Sequence, residues 1–115
     1  MLPLTWIKCG DGNNWCSLER VNLREVRTTG VYFIWYEGDR PRAVHVGQGD
    51  IASQLQAHKR NPDILYYRRF GTLRVTWAAV AAAHLDGVER YLANYFQPLV
   101  EDPHPMAFPI VVRLP

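Results

Sequence analysis

The segment Gly30-Val31-Tyr32-Phe33-Ile34-Trp35-Tyr36 decides the fold, because every residue after the glycine is β-branched or aromatic. A run of this composition is typical of a strand that is covered on both faces. We therefore predict a central strand at 31–36. Glycine and proline turn signals follow at 37–41, and the mixed segment 42–46 then predicts a second strand that forms a hairpin with the first.

Further along the chain the hydrophobic pattern changes between helix and strand periodicity. Asp50 and Asp86 are good N-cap residues in front of two helical patterns, and Pro98 ends the second of them. The predicted strands are 31–36, 42–46 and 73–80, and the predicted helices are 51–60 and 87–97. The expected fold class is α+β, with a three-stranded antiparallel sheet flanked by helices and the core order β-β-α-β-α.

The length of 115 residues predicts a single domain, since two independent cores would need a longer chain. Its core is expected at about 30–98, after an N-terminal extension at 1–29 and before a C-terminal tail at 99–115. The extension contains a predicted hairpin around a Gly-Asn turn. The proline-rich tail either adds a short edge strand or lies along the surface.

Composition and charge restrict the function only weakly. The chain is 48% hydrophobic and 12% aromatic, which indicates an ordered core, and its net charge of +2 does not by itself imply nucleic acid. No apolar run reaches the roughly 20 residues that span a bilayer, so no membrane partner and a cytoplasmic location are expected. In that location Cys9 and Cys16 are expected as free thiols, and the scattered histidines do not favour a zinc site.

Two short motifs lie on neighbouring predicted strands, Gly30-Val31-Tyr32 on the first and His45-Val46-Gly47 on the second, directly before a glycine-rich helix entry. Their order resembles the GIY-YIG endonuclease family, which has a Gly-Ile-Tyr strand, a hairpin, a Tyr-Ile-Gly strand and then a helix. The resemblance extends over about Gly30 to Pro98. It implies a metal-dependent endonuclease that hydrolyses phosphodiester bonds of nucleic acid.

The resemblance also implies a set of site residues. Tyr32 matches the first tyrosine of the family, and Glu89 matches its metal-binding glutamate, nine residues before a proline. Elsewhere the pattern changes, because His45, Gln54 and Glu101 stand where the family has tyrosine, arginine and asparagine. The expected catalytic residues are therefore Tyr32, His45, Gln54 and Glu89, with Glu89 holding Mg²⁺ or Mn²⁺.

The same residues suit phosphodiester hydrolysis on chemical grounds. The reaction needs a base for water, a cation that offsets phosphate charge and donors that hold the oxygens. Tyr32 or His45 could be the base, and Glu89 offers oxygen ligands to a hard cation. Structural alternatives exist for each: Tyr32 as ordinary core, His45 on an outer strand face, and Glu89 in a capping box that begins at Asp86.

Basic side chains with aromatic neighbours predict a nucleic-acid-binding surface between the first helix and the third strand, with DNA rather than RNA as the expected partner. The residues are His58, Lys59, Arg60, Arg68 and Arg69. A solvated face is the alternative. Gly47-Gln48-Gly49 could also cradle an anion at the helix N-terminus, or simply form a tight turn.

Gln54 leaves two other functions open. A neutral amide can donate a hydrogen bond to phosphate, but it lacks the charge and the paired geometry of a guanidinium group. The chain could therefore be a catalytically impaired nucleic-acid-binding module of the same fold. It could also be a protein-interaction domain that keeps only the scaffold.

Overall fold

The structure is a computed structural model that describes residues 1–10 and 14–115. A four-stranded antiparallel sheet lies at the centre of the protein. The strands are β1 (Cys16–Ser17), β2 (Thr29–Tyr36), β3 (Arg42–Asp50) and β4 (Leu73–Ala79). They lie in the order β1-β4-β2-β3, so the aromatic strand β2 is central and β3 is at an edge. The helices are α1 (Ile51–His58), α2 (Pro62–Leu65) and α3 (Leu85–Phe96), and the class is α+β.

The prediction of a three-stranded sheet is wrong, because the N-terminal extension contributes a fourth strand. In β1, Cys16 pairs with Val75 and Ser17 with Arg74. A strand of two residues is too short to show the alternation on which sequence prediction depends. It is nevertheless part of the core, since the side chain of Cys16 is fully buried.

The N-terminal extension is closed by a disulfide between Cys9 and Cys16, so the expectation of free thiols is wrong. The backbone N–H of Cys9 also donates to the carbonyl oxygen of Asn14 at 2.8 Å. The predicted Gly-Asn turn falls on 11–13 and lies outside the described residues.

The start of α1 follows the prediction, and the end of β3 does not. Asp50 caps α1 by accepting a hydrogen bond from the backbone N–H of Ser53 at 3.0 Å. β3 continues to Asp50 instead of stopping at residue 46, because Gly47 and Gly49 pair with Tyr32 and Gly30 on β2. The proposed anion cradle is therefore part of a strand.

The start of α3 corrects a second prediction. The helix begins at Leu85 with His84 in the cap position, and His84 makes no side-chain cap bond. Asp86 lies in the first turn, where its carboxylate accepts a hydrogen bond from the side chain of Gln48 at 2.9 Å. Asp86 is thus not the N-cap, and it connects α3 to β3.

The two faces of the sheet bury two separate hydrophobic clusters. Tyr32 and Ile34 belong to the cluster that includes Ile51 and Leu55 of α1, whereas Val31 and Phe33 belong to the cluster that includes the α3 side chains. Successive β2 residues point to opposite faces, so both helices are held by one strand. Among the described residues no helix is long and apolar enough to cross a membrane.

The C-terminal tail covers the exposed edge of β3. The backbone N–H groups of Leu99 and Val100 donate to the carbonyl oxygens of Ala43 and Val44, at 3.1 and 2.8 Å. Further along, Ile110 donates to the carbonyl oxygen of Gly87. The tail is therefore an integral part of the fold that is fastened to both β3 and α3.

The tail packs against α3 at Gly87. A glycine usually destabilises a helix relative to alanine, but here the neighbouring tail makes glycine the more stable residue. A Cβ there would meet the Ile110 side chain and would lie 2.8 Å from the Phe108 carbonyl oxygen. We expect Gly87→Ala to lower the free energy of unfolding by roughly 1–2 kcal/mol, because overpacking outweighs the gain of about 1 kcal/mol in helix propensity. Urea unfolding measures this change.

The matched control is Asn94→Ala, which is an exposed position of the same helix. It should change stability by a few tenths of a kcal/mol. A Gly87→Ala variant that is more stable than the wild type would show that the tail does not press on α3.

Candidate active site

The Tyr32 hydroxyl is buried between β3 and α1. Tyr32 faces Gly47 across the hairpin, and a Cβ at Gly47 would overlap the phenol ring and its hydroxyl oxygen. Only a residue without a side chain leaves this space. The glycine in the second motif therefore positions the tyrosine of the first, and the interpretation of Tyr32 as an ordinary core residue is incomplete, because its hydroxyl has polar partners.

Two side chains of α1 hold the Tyr32 hydroxyl. Its oxygen lies 2.7 Å from Nε2 of His58 and 3.2 Å from Oε1 of Gln54. These two residues are four apart and so lie on the same face of α1. When the hydroxyl donates to Gln54 it accepts from Nε2–H of His58, and when it donates to His58 the imidazole must carry its proton on Nδ1.

Burial determines the protonation states of this pair. Desolvation, with a smaller contribution from His45, lowers the pKa of His58 to about 4, so its imidazole is neutral at neutral pH. Desolvation also raises the pKa of Tyr32 well above its ordinary value, and the charges of Glu89 and Asp102 add to this effect. At neutral pH the pair is therefore a neutral imidazole and a protonated phenol, and both shifts oppose transfer of the phenol proton to the imidazole.

His45 lies beside this pair on the same side of the sheet. Its ring centroid is 4.7 Å from that of His58 and 5.8 Å from that of Tyr32. Nδ1–H donates to the Val100 carbonyl oxygen at 3.1 Å, and Nε2 lies 3.6 Å from the Asp102 carboxylate. Because His45 is buried, the alternative of a polar residue on an outer strand face is wrong.

Glu89 points from α3 to the tail and has no role in a capping box. Its carboxylate is buried and accepts a hydrogen bond from Nδ1–H of His104 at 2.6 Å. Arg90 fixes this part of the tail, because its guanidinium group donates to the carbonyl oxygens of His104 and Pro105 at 2.9 and 2.8 Å. Nε2 of His104 is buried and has no hydrogen-bond partner within residues 1–10 and 14–115.

The structure brings Tyr32, His45 and Gln54 together and adds His58 to them. Glu89 is on a helix of the other sheet face, yet it is close enough to affect the pKa of Tyr32. Within residues 1–10 and 14–115, no group of three or more His, Cys, Asp and Glu side chains is arranged to hold a metal ion.

Sequence analysis missed the tail residues Asp102 and His104. They are 57 and 15 positions from their partners His45 and Glu89, and no periodic pattern joins such positions. The only available signal was the presence of polar titratable residues within a proline-rich stretch.

The predicted nucleic-acid surface is divided in the structure. His58 is buried in the site and unavailable to a ligand, and Lys59 donates to the Val21 carbonyl oxygen. Arg60 is exposed, and so are Arg68 and Arg69, which lie in a 3-10 helix at Tyr66–Arg69. Only the arginines of the predicted set are thus placed to meet a polyanion.

No family model, curated protein or solved structure matches the chain. The resemblance to GIY-YIG nucleases therefore stays a hypothesis that depends on the order of the two motifs and on the residues around Tyr32.

The lowered pKa of His58 predicts how stability depends on pH. His58 binds a proton near pH 6.5 in the unfolded state and only near pH 4 in the folded state. Its neutral burial therefore leaves the free energy of unfolding unchanged above pH 6.5 and lowers it progressively as the pH falls towards 4. The shift corresponds to roughly 3 kcal/mol. We expect His58→Gln to remove most of that loss, measured by urea unfolding at pH 7 and pH 4.5.

His84→Gln is the matched control, since His84 is exposed and does not contact the site. It should leave the difference between the two pH values as it is in the wild type. An unchanged pH dependence in His58→Gln would mean that another group causes the loss.

Proposed function

We propose that this chain is an endonuclease of the GIY-YIG type that hydrolyses phosphodiester bonds of nucleic acid, DNA rather than RNA, with Mg²⁺ or Mn²⁺. The observation that supports it is the hydrogen-bonded group of Tyr32, His58 and Gln54 with His45 beside it. Residues from β2, β3 and α1 meet there at the point where the two motifs pair. Buried titratable groups with shifted pKa values are typical of reactive sites.

In the proposed reaction Tyr32 and His58 act together as the base. The oxygen of a water molecule attacks the phosphorus atom and gives its proton to the Tyr32 oxygen, while the Tyr32 proton passes to Nε2 of His58. His58 is neutral at neutral pH, so Nε2 has a lone pair that can accept this proton. Its pKa of about 4 makes it a weak base, which is consistent with a slow reaction. In its imidazolium form His45 carries a proton on Nε2 besides the Nδ1 proton that the Val100 carbonyl accepts, and this Nε2 proton is the one proposed to pass to the leaving oxygen.

Gln54 and Glu89 have the electrostatic roles. The Gln54 amide offers one hydrogen bond to a phosphate oxygen but no charge, so a slow reaction is expected. Glu89 can supply one oxygen ligand while His104 holds the other oxygen, which suits Mg²⁺ because that ion usually keeps several water molecules. When bound, the ion would neutralise charge on the phosphate.

A nucleic-acid-binding module without catalysis is the second candidate function. It is favoured by the burial of Tyr32, His45 and Glu89, which are 1%, 3% and 6% exposed. A phosphate can reach them only if the tail at 99–105 moves away. The hydrogen bond between His104 and Glu89 opposes this movement. A protein-interaction role for the scaffold has no such observation in its favour.

The proposed location is the cytoplasm, and the cysteine pair bears on it. A disulfide between Cys9 and Cys16 is more typical of an oxidising compartment. Titration of protein purified without reductant from the cytosol of its expression host should detect no free thiol, and two thiols per chain would show that the pair is reduced there.

Glu89→Gln tests the metal role. The amide oxygen can still accept the hydrogen bond from His104, so the tail should stay in place, whereas the charge that attracts the cation is lost. We expect cleavage of supercoiled plasmid with Mg²⁺ or Mn²⁺ to fall at least about 100-fold. The control is Glu25→Gln at an exposed position, which should cut like the wild type. Equal rates for both variants would remove Glu89 from the reaction.

Gln54→Arg tests the phosphate role. A guanidinium group at this position adds a charge and a paired hydrogen bond, so we expect the single-turnover rate to rise by about 10- to 100-fold. Gln56→Arg is the control, because it adds the same charge at an exposed position of α1. A similar gain in both variants would indicate general attraction of the substrate. If the wild type and Gln54→Arg both fail to cut DNA and RNA, the binding-module function replaces the nuclease.

A further inference from the structure

A cleft of about 730 Å³ opens beside β1, at the start of β4, and shares no residue with the group around Tyr32. Its charged and aromatic lining consists of Glu19, Arg20, Arg68, Arg69, Phe70 and Arg74. Two of these arginines, Arg20 and Arg74, come from parts of the chain that sequence analysis did not connect with Arg68 and Arg69. The fold therefore assembles a larger cationic site than the sequence predicts.

The cleft carries an excess of positive charge. Arg68 and Arg74 have carboxylate partners, Glu19 at 3.4 Å and Glu37 at 2.7 Å. Within the described part of the chain, Arg20 and Arg69 form no salt bridge. Two guanidinium groups are thus left to attract an anion, and more than one position is available along the cleft.

Exposed aromatic rings lie in and beside the same cleft. Phe70 is 53% exposed and Tyr66 is 47% exposed, which is high for residues of this size. The Arg69 guanidinium group lies 3.8 Å from the Tyr66 ring centroid, so this arginine is held in place by stacking. A fixed cation next to the half-exposed Phe70 ring suits a ligand in which negative charges alternate with planar rings.

We propose that this cleft binds single-stranded nucleic acid, with phosphates on Arg20 and Arg69 and a base stacked on Phe70. The aromatic contact selects a single strand, because the base faces of a duplex are already stacked on one another. The proposal deepens the proposed function and takes the class of ligand from it. Arg74 pairs with Trp35 on β2, the strand that also carries Tyr32.

The test is fluorescence anisotropy of the full chain with a labelled 12-nucleotide oligothymidine and with a duplex of equal length, in EDTA to prevent cleavage. We expect tighter binding of the single strand. Phe70→Ala should weaken it about 10-fold and change duplex binding less than 2-fold. Tyr95→Ala, at an aromatic residue of α3 that is also exposed, is the matched control and should change neither.

The arginine contacts are measured by salt dependence. Arg20→Gln combined with Arg69→Gln should reduce the slope of log K against log salt by about 1.4, since each phosphate on a single strand contributes about 0.7. Arg113→Gln is the control at an exposed position outside the cleft. An unchanged slope in the double variant would overturn the proposal.

Two further results would overturn the proposal: duplex that binds as tightly as single strand, or an equal loss on both ligands in Phe70→Ala. The cleft shares no residue with the candidate active site, so binding and cleavage can be measured separately. Binding without cleavage would therefore contradict the proposed nuclease and support this inference. Cleavage that the cleft variants leave unaffected would contradict this inference and support the nuclease.

Discussion

The burial of the Tyr32 hydroxyl is the constraint on which the arrangement of the sheet and α1 depends. A hydroxyl removed from water costs free energy unless it is hydrogen-bonded, so His58 and Gln54 must face β2, and this fixes the rotation of α1. The phenol also needs the open space above Gly47, which fixes the register of β2 against β3. A shift by one residue would turn the tyrosine towards α3.

The tail connects the protection of a sheet edge with the state of the candidate site. An uncovered edge strand invites pairing with other chains, and backbone bonds from Leu99 and Val100 cover β3 here. The same path brings Asp102 to His45 and His104 to Glu89. Release of the tail would therefore expose both the site and the edge, which couples access to the candidate site to a loss of stability.

Sequence patterns predicted the helices and strands in which apolar side chains recur with a regular period. They failed where a contact joins residues that are distant in the sequence. The aromatic strand and the helix after Asp50 are encoded locally, by alternation and by a cap. The spacing of Asp86 and Glu89 equally suits a capping box, and only the position of His104 decides between cap and buried pair. β1 lies within the predicted N-terminal hairpin, but two residues are too few to indicate pairing with β4, so the sheet was predicted with three strands instead of four.

Electrostatic coupling links the two halves of the candidate site across the edge of the sheet. Glu89 and Asp102 both raise the pKa of Tyr32, although neither is hydrogen-bonded to it, so the phenol responds to the net charge of α3 and the tail. Any change that neutralises Glu89 makes loss of the Tyr32 proton easier. A cation held by Glu89 would have this effect, and Glu89→Gln has it without a cation. The carboxylate and the tyrosine are therefore electrostatically coupled, since the charge on the first changes how readily the second loses its proton.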